Sequence, residues 1–100
     1  MMPRFVVRPE AEADIEATFR WYEAQSPGLG SEFVRAVDAC LAGIERNPEL
    51  YAEHYRRARR ALLRRFPYAI FYVILTGSID VIACFHLRRD PRHWQAQLRR

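Results

Sequence analysis

The sequence predicts an α+β fold: an N-terminal strand, an αα-hairpin packed on a small antiparallel sheet in the order β-α-α-β-β-β, and a short C-terminal helix. Three observations carry this reading. Tyr68 to Leu75 and Ile79 to Leu87 are apolar runs rich in β-branched and aromatic residues, joined by a loop containing Gly77, which is the signature of a β-hairpin. The runs are too continuous for a sheet with one wet face, so helices or a partner must cover much of both sides. Two apolar stripes at helical spacing precede the hairpin: Ala11, Ile15, Phe19 and Tyr22, then Phe33, Val37, Leu41 and Ile44.

The elements follow in order. Arg4 to Arg8 alternates, with Phe5 and Val7 on one side and Val6 on the other, and reads as the first strand, expected beside the last. Pro9 fits the first turn of a helix, and Glu10, Glu12 and Asp14 suit its positive N-terminal end. That helix runs to about Gln25. Ser26-Pro27-Gly28-Leu29-Gly30 is a turn, Ser31 is the expected N-cap of the second helix, and Asn47-Pro48 ends it. Pro48 to Glu53 is a connection. The second half of Arg56–Arg65 reads as the second strand, because it runs straight into the hairpin. Pro67 fits only an edge, a bulge or a strand start. Alternation along the last strand puts Val81, Ala83 and Phe85 on one face and Ile82, Cys84 and His86 on the other. Asp90-Pro91 opens the terminal helix, whose Trp94 is expected to cap the core against the sheet edge.

Composition narrows the class. Residues 1–100 read as a single domain with one modest core. No apolar run approaches the roughly 20 residues of a membrane span, and the N-terminus has no signal-peptide core, so the expected location is cytoplasmic. Cys40 and Cys84 sit in apolar surroundings and read as buried thiols; no metal or cofactor is implied. All sixteen basic residues are Arg. Residues 1–55 carry a net −5 and residues 56–100 a net +9. A basic surface built by the C-terminal half suits an acidic protein partner or nucleic acid.

The ordered set of segments resembles the RelE/ParE toxin superfamily. Arg8-Pro9-Glu10-Ala11-Glu12-Ala13-Asp14-Ile15 is similar to that family's first-helix opening, and Asn47-Pro48 to its second-helix exit. Phe66 to Ile74 resembles its central strand. Val81 to Pro91, with Trp94 after it, resembles its final strand and tail. The resemblance covers nearly the whole chain and implies the toxin of a type II toxin–antitoxin pair, neutralised by a cognate antitoxin from an adjacent small gene. One branch of the superfamily cuts messenger RNA on the ribosome; the ParE-like branch inhibits DNA gyrase. The cutting branch relies on Lys and Arg groups, including an Arg after the central-strand Tyr, and a C-terminal Tyr or His. Here Lys is absent and Ala69 follows Tyr68. A guanidinium is a poor general base, which leaves His86 as the one suitable group, and a lone histidine is more often structural than catalytic. The expected mode is therefore ParE-like, by binding rather than bond chemistry. The rivals are a ribosome-dependent endoribonuclease using His86 and a non-toxic basic nucleic-acid-binding module.

On that reading the target-binding candidates are Arg88, Arg89, Arg92 and Trp94, a tail rich in residue types found at binding hot spots and expected to be dispensable for folding apart from any Trp94 packing. The antitoxin-binding candidates are Arg56, Arg57, Arg59, Arg60, Arg64, Arg65 and Trp21, the last lying off its helix's apolar stripe. Arg64, Arg65, Arg88 and Arg89 are expected to cluster at adjacent strand ends, with Asp90 pairing one of them. His54 and His93 have no constellation around them.

Overall fold

The structure, a computed structural model, describes residues 2–99. Its elements are β1 (Arg4–Val7), α1 (Pro9–Gln25), α2 (Leu29–Arg46), β2 (Glu53–Tyr55), β3 (Ala58–Leu62), β4 (Tyr68–Leu75), β5 (Ser78–His86) and α3 (Pro91–Leu98). They build one 5-stranded sheet in the order β1-β5-β4-β3-β2. β3, β4 and β5 form the expected antiparallel meander, and β1 lies beside β5. That last pairing is parallel, Arg4 against Ser78 through Val7 against Val81, so the sheet is mixed rather than purely antiparallel. Two helices and the meander separate β1 from β5, a connection long enough to permit either direction.

The middle of the chain departs from the sequence reading. Arg56-Arg57 is a two-residue turn between β2 and β3, with Arg56 in the left-handed region at φ 53°. The turn starts the second expected strand early, at Ala58, and adds the short polar edge strand β2, which is too brief to show a period. Arg64 and Arg65 consequently lie in the β3–β4 loop, with Arg65 at φ 71°.

The helical hairpin is set by its turn. Helix α2 begins at Leu29, with Gly28 as N-cap at φ 91°, so the expected cap Ser31 falls inside the first turn. The Glu23 carboxylate of α1 accepts the Gly28 and Gly30 N–H groups at 2.9 and 3.0 Å, which satisfies helix-start donors from the neighbouring helix. A Cβ on Gly30 would lie 2.7 Å from the Phe19 carbonyl oxygen, so glycine is what lets the helices close here.

Both faces of the sheet are covered. On the front, Phe33, Val37 and Ile44 of α2 and Ala11 of α1 pack against Ile70, Tyr72, Ile79, Val81 and Cys84. On the back, Trp94 of α3 packs on Phe71, Val73, Ile82, Ala83 and Phe85. The Trp94 indole lies parallel to the Phe71 ring, with centroids 3.8 Å apart and 11° between planes, and is 3% exposed. It therefore fills the middle of the second core rather than capping an edge. Asp90 caps α3 by accepting the Arg92 N–H at 3.0 Å. The thiol of Cys84 is buried and that of Cys40 partly so; burial pushes them up to about 12 and about 11.

A bulge breaks the expected alternation of β5. Phe71 pairs with Ala83, but Tyr72 pairs with Val81, leaving Ile82 as an extra residue. Val81 and Cys84 thereby share the helix face, while Ile82 joins Ala83 and Phe85 on the back. Because β1 stops opposite Val81, the outer edge of β5 beyond it has no strand neighbour. Side chains satisfy it instead. Asp14 of α1 accepts the Cys84 N–H at 3.0 Å, and Gln97 of α3 donates to the Ile82 carbonyl at 2.8 Å and to Asp14 at 3.2 Å. Asp14 is thus an edge clasp, not the helix-dipole residue the sequence suggests. Its carboxyl is raised above the ordinary value, chiefly by burial, which outweighs the Cys84 and Gln97 hydrogen bonds.

Two outcomes follow from this packing. Trp94→Ala should cost about 3–5 kcal/mol, the usual range for removing a buried aromatic from a core, read by chemical denaturation. A loss within experimental error would mean α3 is not part of the core. A carboxyl raised in the folded state opposes stability once pH exceeds its folded pKa, and that penalty fades as pH falls. Asn keeps the acceptor without the charge. Asp14→Asn should therefore melt higher than wild type at neutral pH, with the gap closing on acidification below the carboxylate range, whereas Asp14→Ala should melt lower throughout.

Candidate functional site

The C-terminal half carries the basic charge, and the alternation of its strands distributes that charge over two faces. Arg59 pairs in register with Tyr72 and lies on the front; Arg60 pairs with Phe71 and lies on the back. The Arg59 guanidinium donates to the carbonyls of Tyr51 at 2.7 Å and Glu49 at 3.3 Å and pairs with Glu53 at 3.8 Å. It ties down the α2–β2 connection, as does the Tyr72 hydroxyl, which donates to the Pro48 carbonyl at 2.5 Å. Burial pushes that phenol up to about 12, so it remains a donor throughout the physiological range. Arg56 and Arg57 are exposed at the β2–β3 turn.

The four arginines expected to cluster do not share a cleft. Arg65 reaches Glu32 of α2 at 2.8 Å, on the helical side. Arg64 lines a groove of about 320 Å³ between α2 and the free end of β3, with Ala36, Ala39, Cys40, Gly43, Tyr51, Leu62 and Arg46. Leu62 is 54% exposed there, and Cys40 touches the Ala61 carbonyl at the same edge. Arg88 and Arg89 follow β5 at the other side of β4. Arg89 lies over the Phe85 ring, 4.2 Å from its centroid. Arg92 is neutralised locally by Asp90, which its guanidinium meets at 2.6 Å; the expected Asp90 pairing therefore involves Arg92. Hydrogen bonds from Arg92 hold the Asp90 carboxyl down to about 2. Of the tail candidates, Arg88, Arg89 and Arg92 are exposed, while the Trp94 indole is buried and not presented to a target. Nor is the tail dispensable beyond one packing contact, because α3 closes the back core and its Gln97 seals the β5 edge. Trp21 is 57% exposed on α1, edge-on to Tyr22 at 5.1 Å.

His86 ends β5 with its ring edge-on to Tyr68, 5.0 Å between centroids. Its Nδ1 accepts the Arg88 N–H at 3.0 Å, so in the neutral ring the proton sits on Nε2. Beside it, a cleft of about 330 Å³ is lined by Asp14, Thr18, Tyr68, Cys84, His86 and Arg89. The imidazole nitrogen that could act as a base is thus engaged by backbone, and the Asp14 Oδ2 by Cys84 and Gln97. Desolvation raises the Tyr68 phenol, which keeps it protonated. Among the described residues no group of three or more His, Cys, Asp or Glu side chains is placed to hold a metal ion.

Sequence reasoning missed the Asp14–Gln97 clasp and the Arg8–Asp80 pair at 2.9 Å. The signal for the first was present: Asp14 lies three residues from the apolar stripe member Ala11 and adjoins Ile15, on the side of α1 that faces the sheet. The second joins residues 72 positions apart and had none. Burial disfavours charge on Asp80, yet the Ser78 hydroxyl and the Arg8 guanidinium together hold its carboxyl below the ordinary value.

The family model for the ParE toxin of the type II toxin–antitoxin system parDE matches residues 5–91. Toxin ParE2 of Mycobacterium tuberculosis, in strains CDC 1551 / Oshkosh and ATCC 25618 / H37Rv, is 26% identical over 99 residues, spanning 98% of this chain and 94% of the relative. A solved structure described as the chromosomal ParDE TA system from P. aeruginosa contains a chain that superposes with a TM-score of 0.77 at 15% identity, covering 87% of this chain and 98% of that one. At that identity the likeness speaks for the fold. The family match takes in α1, α2 and all of the sheet except Arg4, and the chain belongs to the ParE toxins of type II toxin–antitoxin systems.

Proposed function

We propose that this toxin acts in the cytoplasm by binding DNA gyrase rather than by cutting RNA. Its family membership supports the gyrase reading, and the geometry at His86 is the observation that carries it. A ribonuclease needs a base for the 2′-hydroxyl and an acid for the leaving oxygen. Here Lys is absent, and the His86 Nδ1 accepts a backbone N–H at 3.0 Å. What the C-terminal half offers instead is exposed guanidinium on a rigid frame. Arg88 and Arg89 leave the last strand directly, so the core positions them. Arg side chains are enriched at hot spots because one planar group supplies several donors and a stacking face.

The antitoxin is read as an acidic amphipathic segment seated between α2 and the free end of β3. The floor of that groove is small and apolar, the Leu62 side chain lies open to solvent, and Arg46 and Arg64 stand at its rim. An apolar seam with acids meeting those arginines would satisfy both halves of the surface.

Arg88→Ala/Arg89→Ala should abolish gyrase inhibition in a supercoiling assay while leaving the thermal melt and antitoxin capture unchanged. Primer extension on translating ribosomes is the control: codon-linked cuts that vanish in His86→Ala would replace the binding mechanism with a nuclease. For the inhibitor groove, Leu62→Glu should weaken antitoxin binding by about tenfold or more, the scale of one hot-spot residue. Unchanged affinity would move the antitoxin to another face, with the outer surface of α1 around Trp21 the next candidate.

A further inference from the structure

The back of the molecule holds a concentration of positive charge centred on Arg56, Arg57 and Arg99, which lie outside both the gyrase surface proposed at Arg88 and Arg89 and the antitoxin groove proposed by Leu62. The β2–β3 turn and the C-terminal end of α3 enclose a cleft of about 590 Å³. Arg8, Arg56, Arg57 and Arg99 line it, with Tyr55 and Gln95 between them. No carboxylate lines it among the described residues. Arg8 is already held by Asp80, but Arg56, Arg57 and Arg99 make no ion pair among the described residues. Their guanidinium groups reach the cleft from two separate elements. Gathering like charges costs energy unless an anion is present, so their convergence points to a ligand that is itself negative.

The walls are built rather than loose. Arg56 occupies a left-handed conformation at φ 53°, and its guanidinium carbon lies 5.3 Å from the Tyr55 ring centroid, with Nε donating to the hydroxyl at 3.1 Å. Tyr55 in turn packs edge-on against the buried Trp94, with centroids 5.6 Å apart. The hydrogen bond from Arg56, with the charges of Arg56 and Arg99, lowers the Tyr55 phenol. The basic character does not stop at the cleft. At the other end of α3, Arg60, Arg89 and His54 line a second, smaller hollow on the same face. His54 is lowered chiefly by burial, with the Arg60 charge adding to it.

We propose that this back face binds the phosphodiester backbone of a nucleic acid, seated in the cleft formed by Arg56, Arg57 and Arg99 and running past α3 toward Arg60 and Arg89. The open cleft and the second group of cations beyond it fit a polymer with regularly spaced charges better than one compact anion. The contacts are to backbone phosphates, so recognition is independent of sequence and falls as counterions compete. Tyr55 adds an aromatic edge beside which a base or sugar can pack. This inference does not rest on gyrase as target, and it stands or falls separately from inhibition of that enzyme.

The test is fluorescence anisotropy of the 100-residue chain with a labelled random-sequence DNA duplex, titrated between about 50 and 200 mM salt, where counterion release changes affinity strongly. Wild type should bind with a steep salt dependence. Arg57→Ala/Arg99→Ala should lose about tenfold in affinity and about two units of the log–log slope, one for each phosphate contact removed. Both positions are exposed, and an unchanged melt is expected. Arg57→Lys should keep the slope, while Arg20→Ala/Arg35→Ala, on the helical hairpin, should change nothing. Equal affinity and slope in wild type and the double alanine variant would overturn the proposal. So would saturation of the cleft by inorganic pyrophosphate with no DNA binding, which would assign it to a small phosphate. Polyglutamate binding as tightly as DNA would also overturn it, in favour of a general acidic partner.

Discussion

The β4–β5 hairpin is apolar on both faces, and everything else in the fold answers to that. A sheet face left in water would expose Phe71, Val73, Ala83 and Phe85 together, a patch larger than a small domain tolerates. The helical hairpin can cover only one side. The other side falls to an eight-residue helix, α3, which does the work mainly with a single indole. This is why the C-terminal tail, which in sequence looks like an appendage, is a layer of the structure. It is also why Trp94, attractive as a binding residue on chemical type, is not on the surface.

Covering both faces leaves the edges. The β1 strand protects only the first part of β5, and past Val81 the exposed ladder groups are taken by Asp14 from the front layer and Gln97 from the back. One carboxylate and one amide therefore connect α1, β5 and α3 at the point where the bulge turns the strand. An unpaired strand edge invites pairing with another chain, and a side-chain clasp of this kind blocks that at small cost in area. The same clasp engages Oδ2 of Asp14, the carboxylate that lines the cleft beside His86, so the requirement for a closed edge also takes up an acceptor of that cleft.

Much of this was readable in the residues. The hairpin declared itself by β-branched and aromatic runs around Thr76-Gly77, and α1 and α2 by stripes that the structure buries as Ala11, Phe33, Val37 and Ile44. Local chemistry also placed Pro9 at a helix start and Asp90-Pro91 at the opening of the last helix. What could not be read depended on distance in space. The bulge at Ile82 flips half of β5 relative to strict alternation, and nothing in Val81-Ile82-Ala83 marks it. The arginines looked like one basic tract, but strand alternation sends Arg59 and Arg60 to opposite faces. Glu32, Glu53 and Asp90 then neutralise Arg65, Arg59 and Arg92 individually. A net charge per segment says how much guanidinium there is; only partners say how much of it is available.

We propose a small toxin whose chemistry is recognition, with Arg88 and Arg89 exposed just past the last strand, a groove by Leu62 read as the seat of its inhibitor, and a His86 Nδ1 already engaged by a backbone N–H. Its central claim is that the chain forms a direct complex with gyrase that the antitoxin prevents. Titration calorimetry of the purified chain into gyrase measures this most directly. A saturable heat that disappears when the toxin is first mixed with its antitoxin is the predicted result. No heat with gyrase, together with binding to ribosomes, would contradict it.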